Sequence, residues 1–410
     1  MITYSEALEH IAAHSAALKL TSQPCALAQI QGRVLASPVE ATANLPAFDN
    51  SAMDGFAMRA NPAQGQIHLP VCSQILAGDA PAGNENPASA VQIMTGAPVP
   101  NWCQSVVPIE NVTAKYDASN QPISITTNGP IAAGQHIRLA GQDVRQGDMV
   151  LPAGRQIGAG DVMMLAALGV EDANIVQRPK IALISTGAEL IDDAATELAP
   201  GQIRNSNQPF LVASLANWPV QTDAMSGHPD TLEDFIPMVE RALENGAHII
   251  ISTGAVSMGV RDFVPDALRQ LGAEIIFHKC KIRPGKPILL AKLPNGTLFF
   301  GLPGNPVSAA VGFRFFVLPA LRHILGMTAP AIRYAKLTHA FTKRAGFCLF
   351  AKAKVQNLDG QMQIEILPGQ QSFRIAPLLE ANCWAQLPQT TSELAAGELL
   401  QFHQLTGSSQ

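Results

Sequence analysis

Several features of common protein classes are missing from the sequence. Its 27 lysines and arginines are outnumbered by 32 aspartates and glutamates, which gives a net charge of -5, and they form no long basic run. Binding to a nucleic acid backbone needs a basic surface, so nucleic acid is not an expected partner. The longest apolar run, VMMLAALGV from Val162, is far shorter than the roughly 20 residues of a membrane-spanning helix. The sequence therefore predicts a protein that binds neither nucleic acids nor membranes.

The sequence also shows neither a paired cysteine motif nor the apolar pattern of a secretion signal. The six cysteines include no C-x-x-C pair, so their spacing indicates neither a zinc knuckle nor a dense disulfide framework, and buried, reduced thiols are expected. Glu6 and Glu9 interrupt the segment in which a signal peptide would be apolar. Thr3 and Glu6 instead have the spacing of a capping box at the start of an amphipathic helix. A cytoplasmic protein is predicted.

Generic catalytic and nucleotide-binding motifs do not occur either. RPGKP, which ends at Pro287, lacks both the first glycine and the final Ser or Thr of a P-loop, and GAGDVM at Gly158 lacks the last glycine of a dinucleotide fingerprint. The sequence contains neither H-E-x-x-H nor G-x-S-x-G, which argues against a zinc protease and an α/β-hydrolase.

The 410 residues that are present suggest two to four domains. From about Pro46 to Arg138 the chain is rich in Gly, Pro and short β-prone runs, which indicates a β-rich module. After Arg178, apolar runs alternate with helical periods, and this order predicts a largely parallel, doubly wound sheet. From about Ala331, alternating QMQIEI beside the Asp359-Gly360 turn predicts a small antiparallel β module.

Three successive strands of the predicted sheet end in glycine turns, STG, STG and LPGNP. Ligands of open α/β sheets bind beyond the carboxyl ends of the strands. Backbone N–H groups of the three turns are therefore predicted to form an anion pocket. The turn residues concerned are Ser185, Gly187, Ser252, Gly254, Pro303, Gly304, Asn305 and Pro306.

Acidic and basic residues follow these turns. Glu189 and Asp262 are placed to hold Mg²⁺ beside a bound phosphate, although solvated residues at helix starts would have the same positions. Four cations precede the third turn and suit an oxyanion, whereas a lysine-protected edge strand is the alternative explanation. They are Lys279, Lys281, Arg283 and Lys286.

The motifs, taken together, resemble the molybdopterin molybdenumtransferase family, which comprises MoeA in bacteria and the E domain of gephyrin in animals. They run in order along nearly the whole chain: FDNSAMDGFAMR, QIMTGAPVP, IRLAGQDV, PKIALISTGAEL, PGQIRNSN, STGAVSMGVRDF, KIRPGKP, GLPGNPVSAAVGF and LPGQQSFRIAPLLEANCWAQLP.

This resemblance implies a cytosolic homodimer with a multidomain fold of α/β and β type, whose central doubly wound domain binds molybdopterin. The implied reaction joins molybdate to adenylylated molybdopterin with Mg²⁺ and releases AMP, in a cleft that a second subunit completes. A molybdopterin adenylyltransferase and downstream cofactor-maturation proteins are possible partners. The expected domains are a linker and dimerisation domain (1–45 and 138–178), a β-rich domain (46–137), the α/β domain (179–327) and a C-terminal β-barrel (328–410).

The resemblance also implies roles for individual residues. Glu189 and Asp262 match acids near Mg²⁺ and the nucleotide phosphate. Four residues are implied to lie on a wall that faces the α/β domain: Asp54, Thr95, Arg138 and Asp143. Five others are implied to line a molybdate pocket: Lys279, Lys286, Pro303, Pro306 and Ser372. The residues expected to be catalytic are Asp54, Glu189, Asp262 and Lys286.

Some positions depart from the family pattern. An expected pair of aspartates is replaced by the stretch that contains Gly227, His228 and Asp230, and an expected arginine of the last domain is replaced by Lys352. Other departures are Gln142, Ala188, Ala255 and Arg283.

Two alternative functions follow. The first is a pyrophosphatase or adenylyltransferase with the same α/β domain, which the FDNSAMDGF module argues against. The second is a divergent, non-catalytic relative that binds molybdopterin as a scaffold.

Overall fold

The structure is a computed structural model that describes residues 1–63, 65–80, 86–256 and 263–405. Its contacts divide the chain into two compact units. The first unit comprises residues 1–37, 153–158 and 172–410, and the second comprises 38–152 and 159–171.

The second unit is built on a six-stranded sheet. Its only parallel pair among the described residues joins His68–Ile75 to Ala90–Ile93. Phe56, Val91 and Val106 are among the buried residues at its centre. In spatial order the strands are Ser105–Pro108, Gly55–Met58, Ala90–Ile93, His68–Ile75, Pro122–Thr127 and Val112–Tyr116.

Gly55 follows Asp54 directly and lies where two strands approach closely. A Cβ atom added at Gly55 would lie 2.1 Å from the carbonyl oxygen of Val107. The FDNSAMDGF motif therefore needs glycine because a neighbouring strand occupies the space of a side chain. Gly55 is also the first residue of the strand Gly55–Met58.

Short elements complete the second unit. Val39–Glu40 pairs with Met149–Leu151, and Asn50–Ser51 pairs with Ile137–Arg138. Ile109–Asn111 is a 3₁₀-helix, and Ala159–Ala167 is an α-helix.

In the first unit, the helix Tyr4–Ala17 begins with the predicted capping box. The Thr3 hydroxyl accepts the Glu6 N–H, while the Glu6 carboxylate accepts the Thr3 N–H at 2.7 Å. The strand Ser22–Ala26 pairs with Asp172–Val176, and Leu27–Gln29 forms a 3₁₀-helix.

The central sheet of this unit has six strands. The first four strands in spatial order pair in parallel, and the last two join at one edge through antiparallel pairings. In spatial order they are Gln221–Ala224, Lys180–Ser185, Ile249–Thr253, Leu298–Leu302, Leu289–Lys292 and Glu274–His278. The helices are Asn207–Leu215, Leu232–Glu244, Val264–Gln270, Pro306–Gly312 and Leu318–Ile324, the last two joined by a π-helical turn at Phe313–Val317.

Both faces of this sheet are buried, as a doubly wound arrangement requires. Ile181, Ile251 and Phe300 belong to a core on one face, and Ile250 and Phe299 belong to a separate core on the other. The prediction of a doubly wound α/β domain is confirmed.

The continuous helix Pro306–Ile324 contains 19 residues and is long and apolar enough to cross a membrane. However, 78% of its most apolar window is buried inside the fold. Helices in the cores of soluble proteins have the same composition, so this helix is weak support for a membrane span.

The C-terminal region of the first unit forms a closed five-stranded barrel. Cys348–Leu358 closes it by pairing with strands on both sides. Ile282–Arg283 adds a short parallel strand that links the barrel to the α/β domain. The barrel strands are Arg333–Leu337, Cys348–Leu358, Gln361–Ile366, Cys383–Leu387 and Leu399–Gln404.

Smaller elements flank the main sheets. Leu190–Ile191 pairs with Ile203–Arg204, and Phe341–Thr342 pairs with Glu393–Leu394. The residues Ala376–Leu378 form a 3₁₀-helix. The predicted hairpin is confirmed, since Asp359 and Gly360 have φ angles of 50° and 78° between paired strands.

Aromatic residues pack the barrel against the long helix. The Phe315 and Phe350 rings are stacked with centroids 3.8 Å apart, and Tyr4 meets Phe350 edge to face. His403 also contacts Phe315, and its Nε2 atom lies 2.8 Å from the Gln386 amide oxygen. Burial, and secondly the Arg314 charge, lower the pKa of His403 to about 4.

This pKa predicts acid sensitivity. Since the pKa of His403 is lower in the folded state than in the unfolded chain, its stabilising contribution is complete above about pH 6.5 and is lost as the pH falls to about 4. We expect it to reach at most about 3 kcal/mol. The free energy of unfolding, measured by calorimetry from pH 7 to pH 4, should decrease less steeply for His403→Phe than for the unchanged protein. Equal slopes would contradict the assignment.

Candidate functional site

The three predicted glycine turns lie side by side at the carboxyl edge of the central sheet. Ser185 is in register with Thr253, and Thr253 is in register with Leu302 on the next strand. The predicted gathering of these turns is therefore confirmed.

The backbone N–H groups of these turns do not all face a ligand, contrary to the prediction. The N–H of Gly187 donates to the Pro229 carbonyl, and that of Gly254 donates to the Leu302 carbonyl at 2.9 Å. Both donors are needed to satisfy neighbouring carbonyls. Among the described residues, the N–H groups of Gly304 and Asn305 make no hydrogen bond. The third turn, before the helix that begins at Pro306, therefore has N–H groups available for an anion.

A cleft of about 570 Å³ opens over these turns. Seven of the residues predicted for the site line it: Gly187, Glu189, Gly254, Pro303, Gly304, Asn305 and Pro306. Ser185 and Ser252 are buried at the strand ends and do not line the cleft. They therefore support its floor.

Glu189 is exposed in the cleft and lies against Gly187. A Cβ atom added at Gly187 would lie 2.6 Å from both carboxylate oxygens of Glu189. Gly187 also has a φ of +128°, which side chains disfavour. The glycine therefore lets the carboxylate approach the backbone of the first turn.

Gly254 provides similar space in the second turn. Its φ is +97°, and an added Cβ would lie 2.5 Å from the Thr186 hydroxyl oxygen. The first two turns are thus packed directly against each other, and glycine is required where they meet.

Polar residues from the segment around residue 205 form another wall that the sequence analysis missed. Asn205 Nδ2 donates to an oxygen of Asp192 at 3.0 Å and to the Ser185 hydroxyl at 3.3 Å. Asn207 Nδ2 donates to the Gly304 carbonyl at 2.8 Å, which connects this wall to the third turn. PGQIRNSN was among the quoted motifs, and its asparagines were the available signal.

His228, one of the departures from the family pattern, supports the same wall. Its Nε2 lies 2.9 Å from an oxygen of Asp192, and its side chain is largely buried. The neighbouring Asp230 lines the cleft. A carboxylate therefore remains in this region despite the histidine.

The predicted cations lie outside the cleft lining. Lys279, Arg283 and Lys286 are absent from it, although Pro287, next to Lys286, is included. The Arg283 guanidinium is 4.6 Å from the centre of the Phe347 ring, a cation–π contact within the first unit. Substrate binding by these three residues remains a prediction.

The segment containing Ser372 reaches the third turn. The Ser372 carbonyl accepts the Val307 N–H at 3.1 Å, and Phe373 lines the cleft. The Phe373 side chain is 67% exposed, an uncommon fraction for a large aromatic residue. The family motif LPGQQSFRIAPLLEANCWAQLP contains Phe373, but only Ser372 was predicted for the site.

Two predicted residues of the second unit meet each other. The Asp54 carboxylate accepts the Thr95 N–H at 2.7 Å and the Thr95 hydroxyl at 2.8 Å. These bonds, the backbone one first, lower the pKa of Asp54. The exposed Asp54 carboxylate therefore has a fixed orientation and is negative at neutral pH.

The other predicted residues of this unit are also exposed. Arg138 lies on a strand opposite Asn50, and the Asp143 N–H donates to the Leu45 carbonyl. The structure neither confirms nor contradicts their roles in binding substrate.

Asp262 lies outside the described residues. Within the described ranges, no group of three or more His, Cys, Asp or Glu residues is arranged to hold a metal ion. None of the six cysteines, all of which lie within the described residues, forms a disulfide, and all but Cys72 are buried, as expected.

Three family models match successive parts of the chain. They describe the MoeA N-terminal region (domain I and II) at residues 2–169, a probable molybdopterin binding domain at 182–323 and the MoeA C-terminal region (domain IV) at 334–405.

Proteins with assigned activities are similar over most of the chain. A molybdopterin molybdenumtransferase of Synechococcus elongatus is 36% identical over 412 residues, covering 99% of this chain and 100% of the relative. Another, from Staphylococcus aureus, is 33% identical, covering 91% of this chain and 88% of the relative.

Solved structures have the same fold. A molybdopterin biosynthesis MoeA protein from Pyrococcus horikoshii OT3 gives a TM-score of 0.83 at 26% identity, covering 98% of this chain and 99% of that one. A molybdenum cofactor biosynthesis protein from Pyrococcus furiosus gives a TM-score of 0.58 at 18% identity, covering 98% of this chain and 99% of that one.

Proposed function

The chain belongs to the MoeA family and acts as a molybdopterin molybdenumtransferase in molybdenum cofactor biosynthesis, and from this we propose that it takes adenylylated molybdopterin, inserts molybdate and releases AMP. The observation that carries the proposal is the cleft over the three glycine turns. It has the volume of a small-molecule site and lies at the sheet edge where α/β proteins bind ligands.

The third turn supports binding of an anionic group. The N–H groups of Gly304 and Asn305 precede the helix that starts at Pro306, and the positive end of a helix dipole favours a phosphate or oxyanion there. Asn207 holds the carbonyl side of this turn, so its N–H groups are fixed before a ligand binds.

We propose that Glu189 and Asp230 can hold Mg²⁺ in this cleft, together with the predicted Asp262. Their carboxylate oxygens are the ligands that Mg²⁺ prefers, and Mg²⁺ commonly retains several waters. One or two lining carboxylates therefore fit a hydrated ion. When bound, Mg²⁺ would offset the negative charge that develops on the departing phosphate.

The residues of the chain then have separate tasks. Asn205 and His228 fix the wall through Asp192. The third turn orients one anionic group of the substrate, and Glu189 holds Mg²⁺ beside the substrate. Positioning of two negatively charged reactants accounts for most of the expected catalysis.

A direct assay tests this function. Purified protein supplied with adenylylated molybdopterin, molybdate and Mg²⁺ should release AMP, and chelation of Mg²⁺ should stop the release. Tight binding of the pterin without AMP release would favour the scaffold alternative. ATP-dependent adenylylation of molybdopterin would favour an adenylyltransferase.

We further propose a cytoplasmic homodimer in which each cleft is completed by Asp54 of the partner subunit. The orientation of the Asp54 carboxylate by Thr95 supports a ligand-facing role. In such a dimer, Asp54 and Glu189 of one chain serve different sites.

Mixed dimers provide the test. We expect Asp54→Asn and Glu189→Gln each to abolish AMP release, and random reassembly of the two variants to restore about a quarter of the activity, since half of the dimers contain one intact site. AMP release by the mixture is compared with that of each variant reassembled alone. A mixture as inactive as its components would contradict shared sites.

A further inference from the structure

Lys352 lies on a barrel strand and is completely buried, with 0% of its surface exposed. Lysine is seldom buried because its charge must be compensated by polar partners. Its Nζ atom donates to the carbonyls of Gly369 at 2.7 Å, Arg374 at 3.0 Å and Gln371 at 3.3 Å. All three acceptors belong to one stretch of chain, hereafter the 367–374 segment.

Main-chain and amide groups strengthen this connection. The Gln370 side chain accepts the Lys352 N–H at 2.9 Å and donates to the Lys352 carbonyl at 2.9 Å. The Leu367 N–H also donates to the Lys352 carbonyl. The 367–374 segment is thus fixed to one barrel residue through both its backbone and its side chain.

The opposite side of the 367–374 segment reaches the cleft. The Ser372 carbonyl accepts the Val307 N–H, and Phe373 lines the cleft together with Pro306. N–H groups in the first turn of a helix have no acceptor within the helix. The Val307 N–H therefore depends on this segment for its partner.

The three carbonyls use all three donors of the Lys352 ammonium, so none remains for substrate. Burial lowers the pKa of Lys352, and the Arg374 charge is the second cause. Only the ammonium form can satisfy the three carbonyls together, which favours retention of the proton.

We propose that Lys352 is a positioning residue whose buried ammonium holds the 367–374 segment, and thereby Ser372 and Phe373, against the substrate cleft. The effect of Lys352 on the kinetics of AMP release rests on the proposed function. The contact between Lys352 and the 367–374 segment, which we call the geometric part of the proposal, does not.

Hydrogen exchange tests the geometric part without substrate. We expect Lys352→Met to accelerate exchange of the Val307 amide at least about tenfold, because its acceptor is released. The Ala309 amide, which donates to Asn305 within the same helix, should keep its rate. Lys354 is exposed on the same strand, so Lys354→Met is the matched control and should change neither amide.

Kinetics test the consequence for the site. Loss of a preformed wall should raise the half-saturating concentration of adenylylated molybdopterin about tenfold, with kcat within about threefold of the original. If Lys352→Met does not fold, Lys352→Gln retains donors and should give smaller changes in the same direction.

Unchanged Val307 exchange in a folded Lys352 variant would overturn the proposal. A decrease in kcat without a change in half-saturation would overturn its kinetic part. Absence of AMP release from the unchanged protein would instead refute the proposed reaction, and the exchange experiment would still decide the role of Lys352.

Discussion

Glu189→Gln is expected to reduce AMP release by at least about a hundredfold, the usual scale for loss of a group that stabilises charge in a transition state. The substitution retains the size of the side chain but removes the charge that we propose for metal binding. Gly187 leaves room for this carboxylate against the first turn, and glutamine occupies nearly the same volume. AMP release should be measured over a range of Mg²⁺ concentrations.

The control for this prediction lies in the same region of the chain. Glu197 is exposed and does not line the cleft, so Glu197→Gln should retain full activity and an unchanged Mg²⁺ requirement. Full activity of Glu189→Gln at all Mg²⁺ concentrations would rule out the proposed role.

Gly55→Ala is expected to have the largest effect on stability. The added Cβ would lie 2.1 Å from the Val107 carbonyl oxygen and 2.9 Å from the Pro108 Cα, so backbone must move in a buried part of the sheet. We expect a cost of about 3 kcal/mol or more, at the upper end for overpacking. Calorimetry should show a lower unfolding temperature for the second unit.

Gly129→Ala is the matched control for this substitution. A Cβ atom at Gly129 would meet no atom within 4 Å, and its φ is not in the left-handed region. This variant should unfold at nearly the original temperature. Equal stability of the two variants would show that the Gly55 strand adapts easily.

The sequence predicted the features that repeat along the chain. Three strands ending in glycine turns imply one shared sheet edge, because parallel strands align their carboxyl ends. The hairpin at Asp359 and the capping box at Thr3 could be predicted because each depends on residues only a few positions apart.

Features that depend on distant residues could not be predicted in this way. The N–H groups of Gly187 and Gly254 are satisfied by carbonyls 42 and 48 residues away, at Pro229 and Leu302. The buried partners of Lys352 lie 17 to 22 residues further along the chain. The cleft position of Phe373 appears only when the C-terminal region packs against the α/β domain.

The sequence leaves the start of one helix undefined. Asp161 is compatible with the N-cap position, but the helix begins two residues earlier, at Ala159. Asp161 therefore lies in the first turn. Acidic residues are favoured at both positions, so the sequence could not separate them.

The helix Pro306–Ile324 extends from the cleft to the aromatic contacts of the barrel, and its 19 residues span about 28 Å at 1.5 Å per residue. Phe315 lies within this helix, nine residues after Pro306, so a substitution that displaces the Phe315 or Phe350 ring is expected to shift the two N–H groups beside Pro306. Random mutagenesis for altered turnover should therefore recover substitutions among these remote aromatic residues as well as around the cleft.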